Sequence, residues 1–330
     1  MNRKGVAQVV AVSLLVTLIG CLCSPALAYD AWVVVYTDKS EYAYFRQPIH
    51  VTGQVFYQGD PVEGGIVAIE VGYPGKTVAL IRTVSTGSNI TFDSQLRILS
   101  VIPCDQNGNP KNSFIRDGTA YFNVTVMNNR ITSRDALMTV TTCDIDFTPL
   151  DTVSVQATIV GGSTFSFIAE TMLPSWSSTG TAKVHISVLT GWPSLNGYPY
   201  CQGKSANFTI TSGSAPYSNA AYSEPINGTE YNMTFRLSPF WPLGTYDVKV
   251  GALYEGFTCW RNTTFTTVTQ ELGDLDFDRD IDLFDAVTIM GAYGERSGEQ
   301  LWDPTVDLYP NGKIDLYDAV ILLGKYGKKY

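Results

Sequence analysis

The C-terminal part of the chain contains an internal repeat, and this repeat limits the possible folds more than any other feature. Residues 274–295 and 307–328 match each other at an offset of 33 positions. In each copy an Ile-Asp-Leu step leads to Asp-Ala-Val, and then to a Gly and a Tyr-Gly pair. A duplicated supersecondary unit produces such a pattern, so we predict two consecutive units, each a loop followed by a helix.

Acidic residues stand at every second position of the first predicted loop. Positions 1, 3, 5, 7, 9 and 12 of a twelve-residue loop are Asp274, Asp276, Asp278, Asp280, Asp282 and Asp285. EF-hand loops wrap Ca²⁺ with oxygen ligands at this spacing, position 7 through its main-chain carbonyl and position 9 often through water. The same positions of the second loop provide Asp307, Asn311, Lys313, Asp315 and Asp318, with Lys313 at the main-chain position.

The two loops are not equivalent, and an apolar stripe follows each of them. Position 3 of the second loop is Tyr309, which has no carboxylate, so we expect one firm Ca²⁺ site and one weaker site. Ile281 and Ile314, at position 8, are expected to point inward and to pair with each other. Residues at helical spacing form the stripes, which are Leu283, Ala286, Val287 and Met290, and then Leu316, Ala319, Val320 and Leu323.

Tandem loops with Asp at position 12, a helix directly after each loop and no entering helix resemble the dockerin family. Dockerins bind two Ca²⁺ ions and dock onto cohesin domains. The resemblance covers residues 272–328 of an expected module of residues 272–330, and it implies ligation by Asp274, Asp276, Asp278, Asp285, Asp307, Asn311 and Asp318. Positions 10 and 11, which the family uses for partner choice, are Leu283, Phe284, Leu316 and Tyr317, which implies a partner unlike the cellulosomal cohesins. The alternative is that Ca²⁺ only stabilises a small domain.

Before this module, apolar and polar residues alternate in short β-branched runs from Tyr29 to about Val268. Gly, Pro, Asn and Asp separate the runs, and no helical stretch of three turns occurs before residue 280. We therefore predict a mainly β protein with two Ig-like β-sandwich domains and a small α-helical calcium module at the C-terminus.

Residues 37–71 resemble the opening half of macroglobulin-like surface domains of bacteria and archaea. The closing corner of such domains is matched only far later, by Leu243-Gly244-Thr245-Tyr246, where Tyr246 is expected to act as a tyrosine corner. Neither flank alone has enough strands to close a sandwich. We therefore predict one sandwich formed by residues 29–93 with 213–268, and an Ig-like sandwich of residues 94–212 inserted in it. Three domains in simple succession is the alternative.

Residues 1–28 have the features of an export signal. Arg3 and Lys4 precede a long apolar run, and Ala26-Leu27-Ala28 provides a cleavage site. An uncleaved anchor and a lipid-modified Cys21 are the alternatives. Cleavage moves the formal charge from -9 to -11, so we expect an acidic, secreted or surface-attached protein that does not bind nucleic acid. No later segment is long and apolar enough to predict a membrane span.

Export leaves four cysteines, which favours disulfides in an oxidising compartment. The candidates are Cys104, Cys143, Cys201 and Cys259. Of the three possible pairings we favour the one that includes Cys104 with Cys201, because both flank strands of one predicted sandwich. Glycosylation candidates are the sequons at Asn89, Asn123, Asn207, Asn227, Asn232 and Asn262.

The sequence gives little support to catalysis. His50 and His185 fall on separate predicted strands, and no nucleophile-elbow or zinc-protease motif occurs. We predict a non-enzymatic surface or adhesion protein that docks through its C-terminal module onto a cohesin-like domain. The alternatives are a carbohydrate-binding accessory of a polysaccharide-degrading assembly and a hydrolase with an unrecognised carboxylate pair. The candidates for a sugar-stacking surface are Trp176, Trp192, Trp241 and Trp260.

Overall fold

The computed structural model describes residues 31–43, 48–75, 77–87, 94–212, 228–237, 241–269, 271–276, 278, 280–296, 299, 305–309 and 311–329. Over these residues the protein is mainly β, as predicted. The expected export signal of residues 1–28, with Cys21, and the sequons at Asn89 and Asn227 lie outside them. No helix within the described ranges has the length and apolar character needed to span a membrane.

Seventeen described strands form four sheets. In chain order they are β1 (Ala31–Thr37), β2 (Glu41–Ala43), β3 (Pro48–Tyr57), β4 (Asp60–Pro61), β5 (Ile66–Gly72), β6 (Val78–Ser85), β7 (Leu96–Cys104), β8 (Ser113–Ile115), β9 (Gly118–Asn128), β10 (Arg134–Cys143), β11 (Pro149–Ile159), β12 (Thr164–Leu173), β13 (Gly180–Leu189), β14 (Lys204–Thr211), β15 (Glu230–Arg236), β16 (Gly244–Tyr254) and β17 (Phe257–Val268). A single turn of 3₁₀-helix, Pro193–Leu195, follows β13.

The first and last strands of this region share one pair of sheets, which we call the outer unit. One sheet has the order β1-β3-β15, with β4 paired to β3, and the other has the order β2-β17-β16-β5-β6. Neighbouring strands are antiparallel except β2 and β17. Alternate side chains of both sheets enclose one core, which includes Val51, Ile69, Tyr231 and Tyr246.

The eight strands from β7 to β14 form a second pair of sheets, which we call the inner unit. Their orders are β11-β10-β13-β14-β8 and β12-β9-β7. Phe122, Val140 and Phe208 lie in the separate core that these two sheets enclose. The chain leaves the outer unit after β6 and re-enters it at β15, so the inner unit interrupts the outer unit.

Tyr246 closes the outer unit as a tyrosine corner, and this prediction is confirmed. Its hydroxyl donates a hydrogen bond of 2.6 Å to the carbonyl oxygen of Pro242, four residues upstream. Its ring stacks on Phe265 with a centroid distance of 5.0 Å and an interplanar angle of 4°. The side chain therefore fixes the chain reversal before β16 and contributes to the core at the same time.

The two units meet along β6, an edge strand of the outer unit. Ile81 packs with Leu137 and Leu189 of the inner unit in a small shared core. The hydroxyl of Thr141 donates to the carbonyl oxygen of Ile81 at 2.9 Å. Buried Glu70 accepts a hydrogen bond of 3.0 Å from the backbone N–H of Ser194. Apolar and polar contacts therefore cover the edge that β6 would otherwise expose.

Cys104, Cys143, Cys201 and Cys259 are all buried, and the expected Cys104–Cys201 disulfide is not formed in this structure. The thiol of Cys201 lies at the backbone of Ile98. Cys104 stands six residues further along β7, which is about 20 Å at the rise of a strand and far beyond disulfide reach. Burial raises the pKa values of Cys201 and Cys259 to about 12.

The four described sequons differ in exposure. Asn207 and Asn262 are exposed and Asn123 is half-buried. Asn232 lines a cleft between the two units, and its Oδ1 is buried. Thr234 of the same sequon is only 6% exposed and lies 3.0 Å from Nδ1 of His50. Packing of β15 beside the inner unit therefore places this sequon at the cleft, whereas Asn207 and Asn262 are exposed.

Candidate calcium centre and docking face

Two short helices follow the repeated loops at the positions that the repeat predicts. They are α1 (Leu283–Gly291) and α2 (Leu316–Leu323). Asp282 caps α1, because its carboxylate accepts a hydrogen bond of 2.7 Å from the backbone N–H of Phe284. The carboxylate of Asp285 in turn accepts a hydrogen bond of 2.7 Å from the backbone N–H of Asp282. Asp315 and Asp318 form the same reciprocal capping box on α2. The carboxylates at loop positions 9 and 12 therefore also start the helices.

In the first loop, carboxylates converge around one point. Asp285 is fully buried, and its Oδ1 accepts hydrogen bonds from the backbone N–H groups of Leu275 and Asp276. Oxygens of Asp274, Asp276 and Asp278 lie within 4.8 Å of one another. Asp274 is 1% exposed. Burial, followed by the charges of Asp278 and Asp285, raises the pKa of Asp276. Acids gathered in this way suit a hard cation such as Ca²⁺.

The side chain of Asp280, at position 7, is engaged elsewhere. Its Oδ2 accepts from Nζ of Lys329 at 2.6 Å, although oxygens of Asp278, Asp280 and Asp282 also lie within 4.8 Å of one another. A carboxylate tied to a lysine is a poor metal ligand. This contact agrees with the expectation that position 7 contributes its main-chain carbonyl rather than its side chain.

The second loop has the same backbone arrangement with fewer acids. Asp318 is fully buried and accepts from the backbone N–H of Tyr309 at 2.8 Å, and Asp307 accepts from the N–H of Gly312 at 2.8 Å. The ring of Tyr309 packs against Tyr317 with a centroid distance of 5.4 Å. No convergent acidic triad occurs among the described residues of this loop. Position 3 therefore contributes packing where the first loop has a carboxylate.

The two repeats are joined crosswise. Ile281 and Ile314 are fully buried in one small core. Their backbones do not pair with each other as expected, because each pairs with the turn that follows the other helix. The backbone carbonyl of Ile281 accepts from the N–H of Gly327 at 2.6 Å, and its N–H donates to the carbonyl of Lys328 at 2.9 Å. In the same way the carbonyl of Ile314 accepts from the N–H of Gly294 at 2.8 Å, and its N–H donates to the carbonyl of Glu295 at 2.9 Å. The module is therefore closed by two equivalent short pairings.

The predicted apolar stripes point mainly outward. Leu283 and Phe284 are 63% and 66% exposed, and Leu316 and Tyr317 are both 64% exposed. The exposed side chains that continue this surface along the helices are Val287, Met290, Val320 and Leu323. The core instead takes Ile289 and Leu322, with Ala286 and Ala319 packed against it. We call the eight exposed residues the docking face, because exposed apolar side chains repeated on two helices make them a candidate interaction surface.

The four tryptophans proposed for sugar stacking do not form one surface. Trp241 is 7% exposed and belongs to the outer core. Trp192 and Trp260 both contact the turn at Gly197, whose carbonyl oxygen accepts from Nε1 of Trp260 at 3.1 Å. Trp176 is half-buried in the turn after β12. A single platform made of all four is therefore absent from the part of the chain that the structure describes.

Comparisons with known proteins add little. No protein-family model and no curated protein matches the chain. The C-terminal domain of Wzt aligns with 36% of this chain and 75% of its own length, at 13% identity and a TM-score of 0.31. The Bacteroides uniformis β-glucuronidase aligns with 50% of this chain and 26% of its own length, at 10% identity and a TM-score of 0.27. The Listeria innocua β-glucosidase aligns with 38% of this chain and 16% of its own length, at 10% identity and a TM-score of 0.25. The chain thus spans about a quarter or less of either enzyme, and these likenesses carry no argument about function.

Proposed function

We infer that this is a non-enzymatic extracellular or cell-surface protein whose C-terminal residues 272–330 form a calcium-binding, dockerin-like module that docks onto a cohesin-like protein domain. The observation that carries this proposal is the docking face, an apolar surface repeated on two helices that start from acidic loops. The two sandwich-like units are then the structural part that the module attaches to its partner.

Calcium fits the donor set of the first loop better than it fits the second. Asp274, Asp276, Asp278 and Asp285 offer carboxylates, and Asp280 offers its main-chain carbonyl. Three of these carboxylates already converge within 4.8 Å of one another, and like charges gathered in this way call for a positive charge between them. Bound Ca²⁺ would supply that charge and free energy of folding to a module with a core of only a few side chains.

The docking face supports a protein partner over a purely structural role for the loops. Loops that only stabilise a fold need no exposed apolar residues beyond them, yet Leu283, Phe284, Leu316 and Tyr317 remain exposed at equivalent positions. Aromatic and aliphatic anchors of this kind are typical of the centre of a protein interface.

Calcium binding is tested by titration calorimetry on the intact chain. We expect saturable uptake that the double variant Asp274→Asn, Asp285→Asn loses, while Asp60→Asn, an exposed acid on β4, leaves uptake unchanged. Uptake that is identical in the double variant would remove the first loop as the site.

Docking is tested separately, with a panel of purified cohesin domains and surface plasmon resonance in Ca²⁺ and in chelator. We expect one member to bind only in Ca²⁺, and the double variant Phe284→Asp, Tyr317→Asp to bind at least about 30-fold more weakly, as loss of interface hot spots does. The control is Ile131→Asp, at a residue that is 98% exposed in the inner unit. Calcium uptake without binding to any cohesin would refute docking onto this class and leave the structural role.

A further inference from the structure

The cleft between the outer and inner units gathers positive charge in an acidic protein. It has a volume of about 270 Å³ and lies between β6 and β15 of the outer unit and β13 and β14 of the inner unit. Arg82, Lys183 and Lys204 line it, and Glu230 is its only acidic lining residue among those described. Arg82 is 5% exposed, so its charge is held in the interior rather than in solvent. The cleft is thus lined by three cations and one carboxylate, whereas the formal charge of the whole chain is -9.

Buried polar atoms in the same cleft lack hydrogen-bond partners. Oγ1 of Thr83, Nε2 of His185 and Oδ1 of Asn232 are each buried without a partner among the described residues. Such atoms are uncommon in folded proteins, and each needs a physical explanation such as a bound ligand. Thr83 donates through its hydroxyl, His185 through a protonated ring nitrogen, and Asn232 through its amide nitrogen after a flip of the terminal group. All three side chains can therefore act as hydrogen-bond donors in the cleft.

The cleft is formed by close backbone contact rather than by loosely touching surfaces. A Cβ atom on Gly203 would lie 2.6 Å from the carbonyl oxygen of Thr83 and 3.2 Å from that of Ile186. The strand that carries Thr83 is therefore held against the residues that precede β14. The donors and cations thus come from two units whose relative position is fixed here.

We propose that this cleft binds a small oxyanion, either a free ion such as sulfate or the carboxylate of an acidic sugar, through Arg82, Lys183 and His185. A guanidinium presents paired N–H donors that match the oxygens of such groups, and the lysine adds a point charge. The volume exceeds that of several water molecules, so it has room for a body that carries the anion. Lys204, at the exposed rim, attracts the ligand to the entrance.

The pKa of His185 should change when an anion binds in the cleft, and this change can be measured in the wild-type protein. Burial, followed by the charges of Arg82 on β6 and Lys183 on its own strand, lowers the pKa of His185 well below its usual value. The other charged groups lining the cleft are Lys204 on β14 and Glu230 on β15. An anion beside the ring favours its charged form, so binding raises this pKa and strengthens as pH falls.

The experiment is a titration of the intact protein with sodium sulfate and, separately, with sodium glucuronate, followed by calorimetry and by the imidazole NMR signals of His185. We expect saturable binding of at least one of them and a rise in the pKa of His185 by about one unit or more, as for a charge within a few ångströms. Binding of sulfate alone indicates a free ion, whereas tighter binding of glucuronate indicates an acidic sugar.

Variants then test the residues. Arg82→Gln and Lys204→Gln are each expected to weaken binding, Arg82→Gln by about tenfold or more, which corresponds to the loss of one charge-assisted hydrogen bond. Arg261→Gln is the matched control, because Arg261 is exposed on β17, three strands away from β6 in the same sheet. A wild-type protein that binds neither anion and leaves the His185 signals unchanged would overturn the proposal, as would a fully folded Arg82→Gln that binds as the wild type does.

Discussion

Gly203 lies so close to Thr83 that no side chain fits between them. A Cβ atom at position 203 would come within 2.6 Å of the carbonyl oxygen of Thr83, and backbone oxygens cannot move aside as the end of a flexible side chain can. This single contact sets the distance between the outer and inner units at one wall of the cleft.

Replacement of this glycine tests whether the units are held together as the structure has them. We expect Gly203→Ala to lower the free energy of unfolding by about 1–3 kcal/mol, as overpacking does, and to weaken any anion binding in the cleft. Gly191→Ala is the control, since a Cβ there meets no atom within 4 Å. Denaturant unfolding of both variants measures the difference in their free energies of unfolding. Equal values for the two variants would show that the backbones of Gly203 and Thr83 are not held in close contact.

Asp144 predicts a dependence of stability on pH. It is 4% exposed, and burial, together with the charge of Asp146, raises its pKa to about 8. The unfolded carboxyl titrates near 3.8, so the folded state holds the proton more tightly. The contribution of Asp144 to the free energy of unfolding is fully present below about pH 4 and is lost as pH rises through about 8. Between these values the free energy of unfolding falls by up to about 1.4 kcal/mol per pH unit.

Denaturant unfolding over this range should therefore give a flatter curve for Asp144→Asn than for the wild type. Asp105→Asn is the matched control, since Asp105 also accepts backbone hydrogen bonds in a turn, from Asn107 and Asn109, but its pKa is lowered rather than raised. A wild-type stability that does not change from about pH 5 to 8 would contradict the predicted titration.

The cysteines predict a clear chemical result. A thiol reagent attacks the thiolate, and burial both blocks access and raises the pKa values of Cys201 and Cys259 to about 12. We expect the native protein without residues 1–28 to react slowly, and all four thiols to react after unfolding without reductant. Two or fewer reactive thiols in the unfolded protein would show that a disulfide forms after export.

Two neighbouring residues of α1 separate the core of the C-terminal module from its docking face. Ile289 is 2% exposed and Met290 is 75% exposed. Ile289→Ala should cost about 2–4 kcal/mol through the cavity it leaves, while Met290→Ala should change stability by less than about 0.5 kcal/mol. Circular dichroism during unfolding in Ca²⁺ measures both, and a large loss for Met290→Ala would mean that the stripe is buried.

Local patterns predicted a good part of this structure. Alternation of buried apolar residues along β3 and β9 is a property of neighbouring positions, so these strands were readable without knowledge of their partners. The helices were readable for a similar reason, because the repeat and the apolar stripes at helical spacing are patterns of nearby positions. Tyr246 was identified from the short corner that surrounds it.

Other features depend on residues distant in sequence. The stripes on α1 and α2 are as periodic as those of buried helices, and only the packing of Ile289 and Leu322 shows which face is inside. The pairing of Cys104 with Cys201 was inferred from shared membership of a sandwich, which does not set the distance between two points along a strand. The positions of Trp176, Trp192 and Trp241 likewise depend on different turns and cores.

The sequence by itself determined the strands, the capped helices and the acidic loops, because these depend on side chains within a few residues of one another. Only the tertiary structure decided that β6, β13 and β15 bring Arg82, Lys183, His185 and Asn232 to one cleft. These residues lie on strands separated by up to 150 positions along the chain, and none belongs to a local motif. Their proximity results from the insertion of one unit into another, which no local pattern specifies.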